Sequence, residues 1–400
     1  MTRSARFVAR SAIVLVTVTL AVLVTLDGVA IRLAQSDPVL AAQLSPGNAA
    51  FAIAAAAHLA GNEAGTRDPR VRALEETALD RSATDPSAIA IRALEARVDG
   101  DARREARLFA LSNAISRRNL PTRLWLIQNA VDHGDVTGAL RNFDLALRTS
   151  ADAPASLFPV LAAATADPQM TAPFAQLLDR PSDWRATFFH YVTTQTASAT
   201  GLARIVAHLH DRAWLATNAL DDALIVRLVA DGEFPVARQT YDVFHRNQGA
   251  SLLVRDGQFS NPAAVFPFGW LLIQKGEIGA ERSVIGGRPV LSYQALSGSD
   301  GAVANQLLTL PAGHYRFAVR AAIDATDPQS PPYWTLTCAG DGATQIGLLD
   351  APVMRNATAA KAMTVPAGCT AQWLVLSLRG SDQPSGQSGA LTSVALTREP

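Results

Sequence analysis

Lysine is almost missing from this chain of 400 residues. Lys275 and Lys361 are the only two among 35 basic residues, and the rest are arginine. The 35 acidic residues bring the formal net charge to zero. A chain with no basic excess carries no electrostatic footprint for nucleic acid, so no nucleic-acid partner is expected. Cysteine is as scarce: Cys338 and Cys369 are the only two, and none precedes them. A lone pair within one domain reads as a disulfide in an oxidising compartment, or else as two buried thiols. A bond there would stabilise by about 3–4 kcal/mol through loop closure.

Catalytic signatures are missing too. The sequence has no H-E-x-x-H, no P-loop and no G-x-S-x-G nucleophile elbow. His208 and His210 are two apart, so a helix would point them to different sides and they make no metal pair. His190, His245 and His314 stand isolated in sequence, and Asp221-Asp222 and Glu75-Glu76 read as solvated helix faces or caps. No catalytic residue is assigned. Carboxylates paired from distant positions remain the route by which the chain would be an enzyme.

One long hydrophobic run is present. Ala12 to Leu26 is unbroken apolar residue or threonine, preceded by Arg3, Arg6 and Arg10 and followed by Asp27. It is short of the roughly 20 residues of a full span, but Phe7 to Ala9 and Gly28 to Ile31 extend it if Arg10 and Asp27 lie at the headgroups. The positive-inside rule then puts Met1 in the cytoplasm and the bulk of the chain outside. A cleaved signal peptide has the same charge pattern, but the exit GVAIRLAQSD offers a poor cleavage site. The expectation is a cytoplasmic tail (1–10), an uncleaved transmembrane signal anchor (11–31) and a linker (32–47).

From 48 to 248 the chain is rich in alanine and leucine and keeps helical periodicity between Gly, Pro and Asp breaks. Asp85-Pro86 is an N-cap followed by N1 proline, and Asn48 is a further cap. Pro86 and Pro121 are 35 apart, while Gly100 and Gly134, Phe109 and Phe143, and Leu111 and Leu145 are each 34 apart. Gly232 restarts the cassette: Ala237 and Tyr241 follow it as Ala139 and Phe143 follow Gly134. Glycine, small residue and aromatic at these offsets resemble the turn and second helix of a tetratricopeptide repeat. The first-helix tryptophan and glycine–tyrosine positions are not kept, and the prolines of 151–200 break the period. The reading is a degenerate helical solenoid, with a generic all-helical domain as the alternative.

From 251 to 400 the period changes to two. HYRFAVRAAI, YWTLTCAG, KAMTVPA and AQWLVLSLRG are short strands separated by Gly, Pro, Asp and Ser. LPAGHYRFAVRA and VPAGCTAQWLVLSL share a Pro-Ala-Gly entry. Seven to nine such strands favour an antiparallel β-sandwich.

The opening of this region, DGQFSNP at Asp256 to Pro262 and then FPFGW at Phe266 to Trp270, resembles the galactose-binding-like jelly rolls common among carbohydrate-binding modules. Asp256, Gly257, Phe259, Gly269 and Trp270 carry the match. The resemblance implies glycan binding through exposed aromatic rings, with Tyr333, Trp334, Tyr293 and Trp270 as the contacts. Trp270 and Trp373 also have a core reading, the first as part of the opening motif and the second within an apolar strand. The resemblance further implies a structural calcium near the first strand, with Asp256 as a ligand.

Anchor, helical repeats and such a module together resemble accessory proteins of bacterial exopolysaccharide systems. They imply a single-pass inner-membrane protein with its bulk in the periplasm. Envelope or exopolysaccharide-system proteins, and a polysaccharide, would be its partners. Three functions compete: a non-catalytic tethered binding protein, a scaffold without sugar binding, and a glycan-modifying enzyme.

Overall fold

The computed structural model describes residues 24–61, 63–195, 199–245, 253–262, 265–340 and 344–400. The chain divides into two compact units, Met1–Phe158 and Pro159–Pro400.

The described residues of the first unit form helices joined by turns. Its helices are α1 (Pro38–Leu44), α2 (Ala49–Leu59), α3 (Glu63–Thr66), α4 (Pro69–Arg81), α5 (Pro86–Val98), α6 (Ala102–Ile115), α7 (Leu120–Asp132) and α8 (Val136–Thr149). α9 (Ala153–Ala164) begins here and ends in the second unit. Side chains set the starts: Asn48 accepts from the Ala50 amide, and Asp85 accepts from Ser87 and Ala88 ahead of Pro86.

The stops repeat one geometry. Gly100 and Gly134 have φ of +77° and +69°. The amide after each glycine reaches back to close the helix, Asp101 to the Ala96 carbonyl at 2.9 Å and Asp135 to Ala130 at 2.8 Å. These are Schellman caps, which need a left-handed residue and therefore favour glycine. Nine residues beyond each glycine, Phe109 and Phe143 are buried. The repeat cassette seen in the sequence is thus a repeated turn plus a repeated core aromatic.

The expected anchor requires correction. Among the described residues no helix is long and apolar enough to cross a membrane. Residues 1–23, the bulk of that expectation, lie outside the described residues. Residues 24–33 form one helix, and Ala30 is fully buried against Ala41, Ala42, Phe51 and Ala55. Ala30, just beyond the hydrophobic run, therefore packs into the small-residue core of the helical unit, while Val24 at the end of the run itself is exposed. These observations contradict the expected transmembrane helix, the inner-membrane and periplasmic placement, and the resemblance to membrane-anchored exopolysaccharide accessory proteins.

Glu75 on α4 has a side chain with no exposure, and Arg92 of α5 lies 2.7 Å away. Burial pushes its carboxyl from the ordinary 4.5 up to about 7, against the pull of Arg92. The folded state then holds a proton that the unfolded chain has lost. That stabilisation is complete below pH 4.5 and disappears as pH rises through 7, a change of about 3 kcal/mol. Urea titrations at pH 5 and pH 8 should show the loss in wild type and little of it in Glu75→Gln. An equal pH slope in both would refute the assignment.

In the second unit α10 (Thr171–Leu178), α11 (Trp184–Thr194), α12 (Ala199–His208), α13 (Ala213–Thr217), α14 (Leu220–Ala230) and α15 (Phe234–Phe244) precede the strands. Gly232, with φ of +78°, makes a third Schellman turn between α14 and α15.

The strands form two antiparallel sheets. One has the order β1 (Leu271–Leu272), β5 (Gly301–Leu308), β10 (Gln372–Leu378), β7 (Tyr333–Cys338), β8 (Gln345–Asp350). The other has the order β2 (Gln274–Lys275), β3 (Ile278–Ile285), β4 (Arg288–Ala295), β11 (Gln387–Arg398), β6 (Gly313–Ala321), β9 (Thr358–Val365). The sheets enclose a shared core and approach each other at β8/β9 and β1/β3, curling into a half-barrel.

The opening motif locks this curl. A Cβ on Gly257 would lie 2.2 Å from the Val394 carbonyl of β11, and the Val394 amide donates to the Gly257 carbonyl at 2.8 Å. Phe259 packs against Trp270, whose indole N–H donates to the Asp256 carbonyl at 3.0 Å. Cys338 and Cys369 form a disulfide with their Cα atoms 5.5 Å apart.

α15 meets the strands through Arg255. Its guanidinium side chain is 2% exposed, ion-pairs with Asp242 and lies 4.9 Å over the Tyr241 ring. The Gln306 amide clamps the Arg255 backbone, accepting from its N–H at 3.1 Å and donating to its carbonyl at 2.9 Å.

Candidate functional site: the outer face of the five-stranded sheet

Strand residues alternate between faces. On β10, Leu374, Leu376 and Leu378 enter the core, which turns Trp373, Val375 and Ser377 outward. On β7, Trp334 and Leu336 enter the core, which turns Tyr333, Thr335 and Thr337 outward. The register then builds a row across all five strands: Leu271, Asn305, Val375, Thr335 and Leu348 are successive partners. Trp373 flanks the row on one side, opposite Thr337, and Tyr333 flanks it on the other, opposite Ser377. Tyr333 lies four residues from Thr337, so the two aromatic residues are offset by roughly 13 Å along the strands.

Both rings are held and partly exposed. Trp373 stacks on Phe266 at 6.1 Å and 14°. Tyr333 lies under the Arg379 guanidinium at 4.5 Å, and Asp350 holds Arg379 at 2.6 Å. Between them the Asn305 side-chain oxygen is buried and, among the described residues, has no hydrogen-bond partner. An unmet buried acceptor costs about 1–3 kcal/mol.

The expected contacts separate on this geometry. Tyr333 lies on the outward face. Trp334 is fully buried, 5.6 Å from Trp270 and 6.1 Å from Phe317. Trp270 and Tyr293 are each 4% exposed, and burial pushes the Tyr293 hydroxyl up to about 12. These three present no open ring face to a sugar and are corrected to core residues. Tyr293 also underlies a polar cavity of about 220 Å³ on the other sheet, with Gln274, Lys275, Glu281, Ser292 and Gln294.

Asp256 is corrected as well. Its Oδ1 accepts from the Ser260 and Asn261 amides at 2.6 and 2.9 Å, and Arg282 pairs with Oδ2 at 3.0 Å. A guanidinium already supplies the positive charge expected of a calcium ion.

Trp373, read from the sequence as an available aromatic with a core reading, lies on the outward face, and Asn305 was not singled out. A signal for Trp373 lay in QWLVLSL, where alternate positions read Trp, Val, Ser against Leu, Leu, Leu. Asn305 had none, because its place depends on the pairing of β5 with β10.

The structure also joins residues that the sequence kept apart. The ligand atoms of Asp221, Asp222 and His245 all lie within 4.8 Å of one another. Burial lowers the His245 pKa against the pull of the aspartates. Burial, helped by the Asp221 charge, raises that of Asp222.

No protein-family model and no curated protein matches this chain. Among solved structures, one described as "CBM4 structure and function" is 16% identical over 36% of this chain and 99% of its own, with a TM-score of 0.27. TmCBM61 in complex with β-1,4-galactotriose is 14% identical over 36% of this chain and 92% of its own, with a TM-score of 0.24. The enzymatically active domain of bacteriophage CBA120 tailspike protein 4 is 14% identical over 36% of this chain, with a TM-score of 0.26. This chain spans only 20% of that tailspike chain. TM-scores this low carry no argument about ligand or activity.

Proposed function

We propose that the C-terminal β structure is a non-catalytic glycan-binding domain and that the outer face of its five-stranded sheet holds the sugar. The observation that supports this is the pairing of two partly exposed aromatic rings, Trp373 and Tyr333, on either side of a row containing Thr335. Aromatic rings give a sugar's C–H face an apolar platform, and planar polar groups orient its hydroxyls. A protein partner for the helical unit belongs to the same reading, with Leu111, Ile115 and Val131 as exposed apolar side chains available to it.

The test is affinity electrophoresis of the full chain through gels containing soluble β-1,4-glucan, β-1,4-xylan or β-1,4-galactan. Retention by at least one polymer is expected, weakened about tenfold or more by Trp373→Ala and by Tyr333→Ala. Melting temperatures of both variants should stay near wild type, because neither ring is in the core. A folded chain retained by none of the three, or retention untouched by both substitutions, would reject this reading.

A further inference from the structure

We infer that Asp221, Asp222 and His245 form a site for a divalent transition metal between the first turn of α14 and the end of α15. The Gly232 turn folds these helices back on each other, so His245 returns to the start of α14. The three ligand atoms face one another within 4.8 Å, yet no hydrogen bond joins them among the described residues.

Two observations point to a missing ligand. Asp221 is only 6% exposed, and among the described residues no hydrogen bond or ion pair reaches its carboxylate. The His245 Nε2 is buried and equally without a hydrogen-bond partner. A buried carboxylate and a buried imidazole nitrogen are each unfavourable when unpaired. One cation would satisfy both, together with Asp222.

The donor set selects the class of ion. Carboxylates alone would suit calcium or magnesium, whereas an imidazole nitrogen beside them favours zinc and its neighbours in the transition series. Tetrahedral zinc with bonds of about 2.0–2.2 Å holds its ligand atoms roughly 3.4 Å apart, which small side-chain rotations would reach. Three protein ligands leave one position for water.

Isothermal titration calorimetry of the full chain, stripped with EDTA and titrated with zinc chloride, tests the site. One zinc per chain is expected, with the affinity lowered at least tenfold in His245→Gln, Asp221→Asn and Asp222→Asn. Calcium chloride should give a far weaker signal. Far-UV circular dichroism in EDTA establishes that each variant is folded, and zinc should raise the melting temperature of wild type alone. No saturable zinc binding by folded wild type would overturn the site. So would binding that survives all three substitutions, or calcium bound as tightly as zinc and indifferent to His245.

Discussion

Trp334→Ala is expected to destabilise the second unit by about 3–5 kcal/mol, the usual cost of emptying a large aromatic site. That is a large share of the roughly 5–15 kcal/mol that holds a domain together. Trp334 has no exposed surface and sits between the rings of Trp270 and Phe317, meeting both edge to face. Removing it leaves a cavity between the two sheets and cancels both aromatic contacts. Trp334→Phe should lose much less, because it keeps most of the volume and removes an indole N–H that has no acceptor among the described residues. Urea unfolding followed by near-UV circular dichroism reads both. A loss below about 1 kcal/mol for the alanine variant would contradict the packing described, since core truncations of this size rarely cost so little.

Opening the Cys338–Cys369 bond ranks next. The bond ties the end of β7 to the segment that enters β10, across a separation of 31 residues. Closing a loop of that length removes about 3–4 kcal/mol of freedom from the unfolded chain. The surroundings do not compensate for its loss. Gln372 is fully buried and bridges the Leu310 backbone and the Cys369 carbonyl, so slack in the 369 segment also loosens that polar clamp. The double variant Cys338→Ser, Cys369→Ser should unfold at clearly lower urea than the oxidised wild type. Dithiothreitol should bring wild type to the same midpoint. If reduction leaves the midpoint where it was, the bond contributes nothing to stability.

The features legible in the sequence were local ones. Asn48 and Asp85 announce helix starts because an N-cap is satisfied within three residues. Gly100, Gly134 and Gly232 announce stops because each must take a left-handed φ. The DGQF opening was legible because Gly257 has no room for a side chain. The proposed glycan face was harder to read. Tyr333 and Trp334 are neighbours in sequence and lie on opposite faces of one strand, so a one-residue error of phase exchanges core for surface. Trp373 looked apolar in context until the leucines on its strand were assigned to the core. Asp221 and His245 meet only because two helices fold back on each other, which no local pattern records. The hydrophobic run near the N-terminus was visible, but the burial of Ala30 against α1 and α2 depends on helices that follow it.

The Arg255–Asp242 pair bears on where this protein can be divided. A fragment that begins after α15 keeps a guanidinium built for burial and discards its counter-ion and the Tyr241 ring beneath it. Chain cleavage there would convert an internal contact into a new apolar and cationic surface prone to self-association. The final helix thus behaves as a lid on the β structure, and the smallest piece that retains its native surface chemistry includes that helix.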